Sequence, residues 1–226
     1  MEHTSIEDPA YHAAVVDLLG VLAYGELTAF IRMAVDSDLA PTLHLKSAMA
    51  GLANTEYVQY SVLVEHMRSH DIDPDAAMAP FVVPFAAYHE RTRPKGWLEG
   101  LVKAFVGDGI ATDFYREIAN VLDPETRELV LDVCSDTGHA NFAVATVRAA
   151  IEADPRIGGR LALWGRRLVG EAMSQAQTVA AERDGLASLI VGGVDRPGMG
   201  LAELGAMFSR LTEAHTRRMQ TLGLQA

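Results

Sequence analysis

Acidic residues recur in this chain at matched spacing and on apolar helix faces. Glu26 follows Gly25, and Glu56 comes 30 residues later with Gln59 three positions on. In the second half Asp108 follows Gly107, and Asp136 comes 28 residues later with His139 three positions on. Each half thus offers a lone acid, then an acid with a second ligand-type side chain one helical turn away. Spacing fixes direction. Val15, Leu19, Leu22, Glu26, Ala29 and Met33 step by three and four, so the acid shares the face of its apolar neighbours. Glu56 lies in the stripe Leu45, Met49, Leu52, Gln59, Leu63, and Asp108 in Leu101, Phe105, Thr112, Tyr115. Asp136 and His139 continue Leu129 and Val133 toward Ala143 and Val147. All four acids are therefore expected to point inward.

A buried carboxylate without a partner costs on the order of several kcal/mol. Four that converge cannot all stay ionised without cations between them. Two divalent metal ions would balance the four charges, and His139 adds a nitrogen donor on the face of Asp136. Carboxylates with imidazole suit iron or manganese, and zinc stays open. The expected metal ligands are Glu26, Glu56, Asp108, Asp136 and His139. Gln59 and Asp113 stand beside them as weaker ligands or as partners of a ligand, and Glu117 reads as surface. Tyr24, Tyr57, Tyr60 and Tyr115 lie near the acids and read as packing residues.

Apolar residues follow a helical period almost throughout, and no stretch alternates cleanly at period two over strand length. Asp8-Pro9 opens a first helix expected to reach about Ser37, and a second runs from about Pro41 to His70. The segment from Asp71 to Lys95 holds Pro74, Pro80, Pro84 and Pro94 and reads as a long crossover with short helical turns. A third helix covers Gly96 to Leu122. Asp123-Pro124 restarts a fourth, with an N-cap and a proline in first position, expected to continue to Ala153. Asp154-Pro155 opens a fifth to about Leu189, and a last helix covers Gly200 to Leu222 after a glycine-rich loop. Two hairpins joined by one long crossover make a four-helix-bundle connectivity. The expected architecture is all-α: one domain over residues 1–226, with a bundle at 1–153 and a two-helix C-terminal extension at 154–226 packed on it.

A chain of 226 residues that is 49% hydrophobic can build one sizeable core. The net charge of -11 disfavours a polyanion as a whole-surface partner, because nucleic-acid affinity draws on Lys and Arg. Arg91/Arg93/Lys95, Arg166/Arg167 and Arg217/Arg218 read as solvated charge. Cys134 is the single cysteine, so no intrachain disulfide forms, and it reads as a small buried hydrophobe. Residues Met1 to Pro9 lack the basic-then-apolar order of a signal peptide, and no apolar run reaches the roughly 20 residues of a membrane span. A soluble, cytoplasmic protein with no membrane partner is expected. Gly192-Gly193 lacks the strand context of a dinucleotide site.

On several stretches the chain resembles the ferritin-like superfamily, and within it the tRNA-hydroxylase-like (MiaE-like) branch of actinobacteria. The stretches are residues 23–30 (AYGELTAF), 97–103 (WLEGLVK), 106–109 (VGDG), 136–139 (DTGH), 163–167 (LWGRR) and 213–216 (EAHT). The resemblance covers nearly the whole chain. It implies a ferritin-like four-helix bundle, two metal ions with iron foremost, and oxygenase or hydroxylase chemistry with dioxygen, on a modified tRNA base. In related di-iron proteins each metal-binding helix pair carries a lone acid and an acid-x-x-His. Asp136 and His139 fit that pattern, whereas Gln59 stands where the first His is expected. His66 cannot replace it, because seven residues along a helix span about 10 Å.

Two functions follow from different classes. One is a non-haem di-metal oxygenase or hydroxylase, with one metal position weakened by Gln59 and a small-molecule substrate favoured by the acidic charge. The other is a ferritin-like metal-binding or structural protein with a degenerate, non-catalytic site. A third, weaker reading uses the stripe Leu201, Leu204, Phe208, Leu211, His215, Met219 for self-association as a homodimer.

Overall fold

Asp8 starts the first helix by accepting a hydrogen bond from the Ala10 amide at 2.9 Å, and Pro9 occupies the first turn, where a missing N–H costs nothing. The computed structural model describes residues 8–135, 141–193, 196–197 and 199–225. Helix α1 spans Pro9–Asp36 and is followed by a 3-10 turn at Ser37–Leu39. Thr42 caps α2, Leu43–Ser69. The crossover carries α3 (Pro74–Met78), a second 3-10 turn (Ala79–Phe81) and α4 (Val82–Arg91). Helix α5 covers Trp97–Ala119. The long helix pair α1 and α2, the crossover and α5 thus match the sequence expectation closely.

The expected fourth helix does not run unbroken. Helix α6 covers Pro124–Val133, and α7 covers Asn141–Ala153. Two side chains explain the stop. Gln59 of α2 donates to the Val133 carbonyl at 2.7 Å, and Arg116 of α5 donates to the Cys134 carbonyl. Carbonyls at a helix end need outside partners, and these two side chains supply them. The C-terminal extension holds three helices rather than two: α8 (Arg156–Glu182), α9 (Asp184–Val191) and α10 (Leu201–Thr221). Arg183 breaks the expected fifth helix. It adopts an extended backbone, φ -129° and ψ 91°, and pairs with Asp17 of α1. Between α9 and α10 a two-residue antiparallel bridge pairs Gly192 with Pro197 and Gly193 with Arg196.

The core falls into two apolar clusters stacked along the bundle. One gathers Leu18, Leu22, Leu63, Met67, Phe81, Ile118, Val130 and Leu189; the other gathers Met33, Met49, Leu101, Val106, Val147, Leu161 and Leu168. Both clusters draw on α1, α2 and α5. Gly20 permits the close approach of α1 to the crossover, because a Cβ there would collide with the Ala77 carbonyl. At the far end Tyr11 donates to the Asp123 carboxylate at 2.8 Å and accepts from the Asp123 amide at 2.8 Å, which ties α1 to the start of α6.

Two apolar stretches bear on the expectations about surface. Helix α1 carries a window of mean hydropathy 1.7, long and apolar enough by composition to cross a membrane. Half of that window is buried in the bundle, as befits the central core helix. On α10 the buried face is Met207, Leu211, His215 and Met219. Leu201 is 88% exposed and Phe208 is exposed too, so the first turns of the stripe cover nothing among the described residues.

Candidate metal centre and its cavity

Glu26, Glu56 and Asp108 sit where the two core clusters meet. On α1 and α2 the acid separates residues of one cluster from residues of the other, and on α5 Asp108 falls between the fully buried residues of the two. The three acids therefore form a polar layer across the waist of the bundle. Glu26 and Glu56 are hydrogen-bonded to one another, and Asp108 acts on both through its charge. Glu56 is only 6% exposed.

Burial pushes both glutamates up. Glu26 rises to about 7, chiefly by desolvation, with a smaller upward push from Asp108 and a downward pull from its hydrogen bond to Glu56. Glu56 rises well above the ordinary carboxylate range through burial, then through the charges of Asp108 and Glu26. The hydrogen bond between them pulls Glu26 down and pushes Glu56 up, the pattern of Glu56 donating and Glu26 accepting. A shared proton is how two buried carboxyls tolerate contact without a cation.

Asp108 departs from the inward expectation. It lines the same cavity as the glutamates yet is exposed, so the cavity meets solvent beside it. Asp136 and His139 lie outside the described residues. Gln59 is committed to the Val133 carbonyl through its amide nitrogen. Asp113 faces α10, where Arg218 donates to it at 2.6 Å and also to the Gly109 carbonyl at 2.9 Å. Glu117 is no free surface acid, for Arg210 of α10 grips both its oxygens at 2.7 Å.

Cys134 and Tyr115 border the acid layer. Both are pushed up by burial and then by the Glu26 charge, the Cys134 thiol to about 12. An inert thiol, 6% exposed, matches the reading of Cys134 as a buried hydrophobe.

The acids open onto a cavity of about 240 Å³ that runs along α1 from Leu18 to Asp36. Small side chains create it. Gly25 and Ala29 on α1, Ala104, Gly107 and Ala111 on α5, and Ala172, Ala176 and Ala180 on α8 line the walls. The alanines of α8 repeat every four residues, a pattern that keeps one helix face low. Phe85, Ile118, Val179, Leu186 and Ile190 make the rest apolar. One end differs: Arg32, Asp36, His89 and Lys103 gather there. Sequence reasoning missed that group. Its signal was a lysine in register with Gly100, Ala104 and Gly107 on one face of α5.

A second cluster of ligand-type side chains, His66, His70 and Glu125, lies at the end of α2 with donor atoms within 4.8 Å of one another. It is mostly exposed and stands ten residues beyond Glu56 on α2, so it is separate from the acid layer.

The donor set of the waist fits divalent cations. Two buried glutamates and the solvent-facing Asp108 come together from three helices, and the raised proton affinity of the glutamates is what a cation between them would offset. Comparison with known proteins agrees in fold. The sequence profile of the family described as "Ferritin-like domain, actinomycetes" matches residues 9–193. Among solved structures, "Protein 19 with aldehyde deformylating oxidase activity from Synechococcus" superposes with a TM-score of 0.72 at 18% identity, over 98% of this chain and 95% of that one. No curated protein sequence matches the chain.

Proposed function

This chain belongs to the ferritin-like domain family of actinomycetes, and we propose that it is a non-haem di-metal oxidase of the oxygenase type, acting on a small apolar substrate. The observation that carries the reading is the layer of Glu26, Glu56 and Asp108, one acid from each of three long helices, opening onto an apolar cavity. Asp136 and His139 complete the proposed ligand set. Bound iron would supply the electrons that reduce dioxygen, and manganese or zinc would fill the same oxygen-rich site.

Each residue then has a task. Glu26 and Glu56, the latter without its proton, would hold the metal through their carboxylate oxygens. Asp108, open to solvent, would be a ligand on the exposed side. The alanine and glycine walls leave room for a substrate, and the apolar residues around them exclude water, which strengthens every charge interaction inside. Tyr115, with its hydroxyl pushed up by burial, holds its proton and stays neutral beside Glu26.

Substrate class follows from charge and shape. A modified tRNA base, as in the tRNA-hydroxylase-like branch, would come attached to a polyanion, and a net charge of -11 opposes that encounter. An apolar cavity favours a small, weakly charged molecule. The Synechococcus protein's aldehyde deformylating oxidase activity is compatible with such a substrate.

A second reading has one observation in its favour. Gln59, at the position where related pairs carry a His, is spent on the Val133 carbonyl. A protein with a degenerate site would bind at most one ion and not turn over. Elemental analysis of chelator-free protein, followed by anaerobic ferrous loading and oxygen, separates the two. Two metals per chain and a near-ultraviolet or visible transient support the oxidase. A single zinc or manganese and a silent spectrum support the degenerate site.

A further inference from the structure

The polar end of the cavity holds more hydrogen-bond donors than acceptors. Lys103 is 9% exposed and donates to the Thr92 carbonyl at 2.8 Å. Its ammonium also lies 3.4 Å from His89 Nδ1. An ammonium has only protons to give, so Nδ1 accepts and the His89 proton resides on Nε2. That Nε2 is buried and has no hydrogen-bond partner among the described residues. Lys103 carries a third N–H, with the Tyr88 ring 5.7 Å away and the Asp36 carboxylate acting on it through its charge. Arg32, exposed at the edge of the same cavity, makes no ion pair or hydrogen bond with any described residue.

Charge points the same way. Burial lowers Lys103 to about 8, so it remains charged at neutral pH, with Asp36 pulling it back up. Burial, then Lys103 and Arg32, lowers His89 to about 3, so it is neutral. With Asp36 ionised, the group carries one net positive charge. An orphaned buried donor is costly, and the unpartnered His89 Nε2 proton, beside the Lys103 ammonium and the Arg32 guanidinium, calls for an acceptor brought by a ligand.

We propose that this end of the cavity is a carboxylate-binding subsite, and that the cavity takes an amphiphile whose acid head rests on Lys103, His89 and Arg32 while its apolar chain lies along α1 past the acid layer. The inference rests on the proposed function for what happens at the acids, but not for the binding. Two helices give the same ruler. Glu26 and Arg32 are six residues apart on α1, about 9 Å, and Lys103 and Asp108 are five apart on α5, about 7.5 Å. A head held at Lys103 therefore sets a carbon several bonds down the chain beside Glu26, Glu56 and Asp108, rather than the carboxyl carbon itself. The apolar far end, lined by Leu18, Ile118, Leu186 and Ile190, receives the tail.

The test is calorimetric titration of the metal-free full chain at pH 7 with decanoate and with 1-decanol, which share a tail and differ in head. Wild type binds decanoate about tenfold or more tighter than decanol, the worth of a charge-assisted hydrogen bond. Lys103→Met removes that preference and retains decanol binding, which shows the cavity intact. Arg32→Gln weakens decanoate alone. Equal affinities in wild type, no binding of either ligand, or an undiminished preference in Lys103→Met would each overturn the subsite. The outcome is independent of the metal. A chain that prefers decanoate but loads no ions keeps the subsite and loses the oxidase reading. A chain that loads two ions without the preference does the reverse.

Discussion

Gln59 of α2 donates its amide proton to the Val133 carbonyl, 2.7 Å away across the bundle, at the point where α6 ends. A side chain that sequence spacing placed among the metal ligands thus closes a helix terminus. Gln59→Leu leaves that carbonyl without a partner and is expected to cost about 1–3 kcal/mol, read by urea denaturation. Gln59→Glu should cost a similar amount, since a carboxylate has no proton to donate. Gln59→His is expected to raise bound metal in elemental analysis, at a comparable loss of stability. An unchanged metal content in that variant would count against a site weakened by the missing imidazole.

Stability of the metal-free protein should fall as pH rises. Glu26 and Glu56 bind protons more tightly folded than unfolded, so between the unfolded value near 4.5 and the folded value of about 7 for Glu26 the native state holds the extra proton. In that window loss of the proton bound by Glu26 makes stability fall with rising pH by roughly 1 kcal/mol per pH unit, and Glu56 acts in the same direction. Glu56→Gln removes one of the two and keeps an N–H to donate to Glu26. The variant is expected to show a shallower slope in chemical denaturation between pH 4.5 and 7, and to exceed metal-free wild type at neutral pH. Identical slopes would show that the two carboxyls do not share a proton.

The last helix is fixed to α5 by two arginines. Arg218 binds Asp113 at 2.6 Å with its side chain 14% exposed, and Arg210 binds Glu117 through two bonds of 2.7 Å. The first pair is the more buried of the two, so Arg218→Met should cost about 2–4 kcal/mol, and Arg210→Met, with its side chain largely in solvent, should cost less. Thermal melts rank the two. A double variant of Arg218 and Asp113 should lose less than the sum of the singles.

Cys134 should resist alkylation. Burial, then the Glu26 charge, pushes its thiol to about 12, so little thiolate exists at pH 8. Iodoacetamide is expected to label the native chain about a hundredfold or more slowly than the urea-unfolded chain, by mass spectrometry. Rapid native labelling would place the thiol outside the acid layer.

Long periodic stripes were the legible part of the fold. The starts of α1, α2 and α5 are legible within about two residues from Asp8-Pro9, Pro41 and Gly96, because caps and prolines act locally. Glu26 and Glu56 were readable for the same reason, each an acid in step with leucines and methionines. The stop at Val133 was not, since the groups that end α6 come from Gln59 and Arg116, 74 and 18 residues away. Arg183 broke a helix through Asp17, 166 residues distant. Periodicity reports which face a residue takes, not which partner waits there. The Lys103 and His89 group was hidden likewise, because α4 had to fold over α5 before either had a neighbour.

The arginines of α10 carry one consequence further. The family profile ends at residue 193, and α10 begins at Leu201, yet its two ion pairs flank the stretch of α5 just after Asp108. The tail of this chain therefore braces the inner scaffold from outside it, and two proteins sharing the common portion but differing beyond it need not hold that aspartate with equal stiffness.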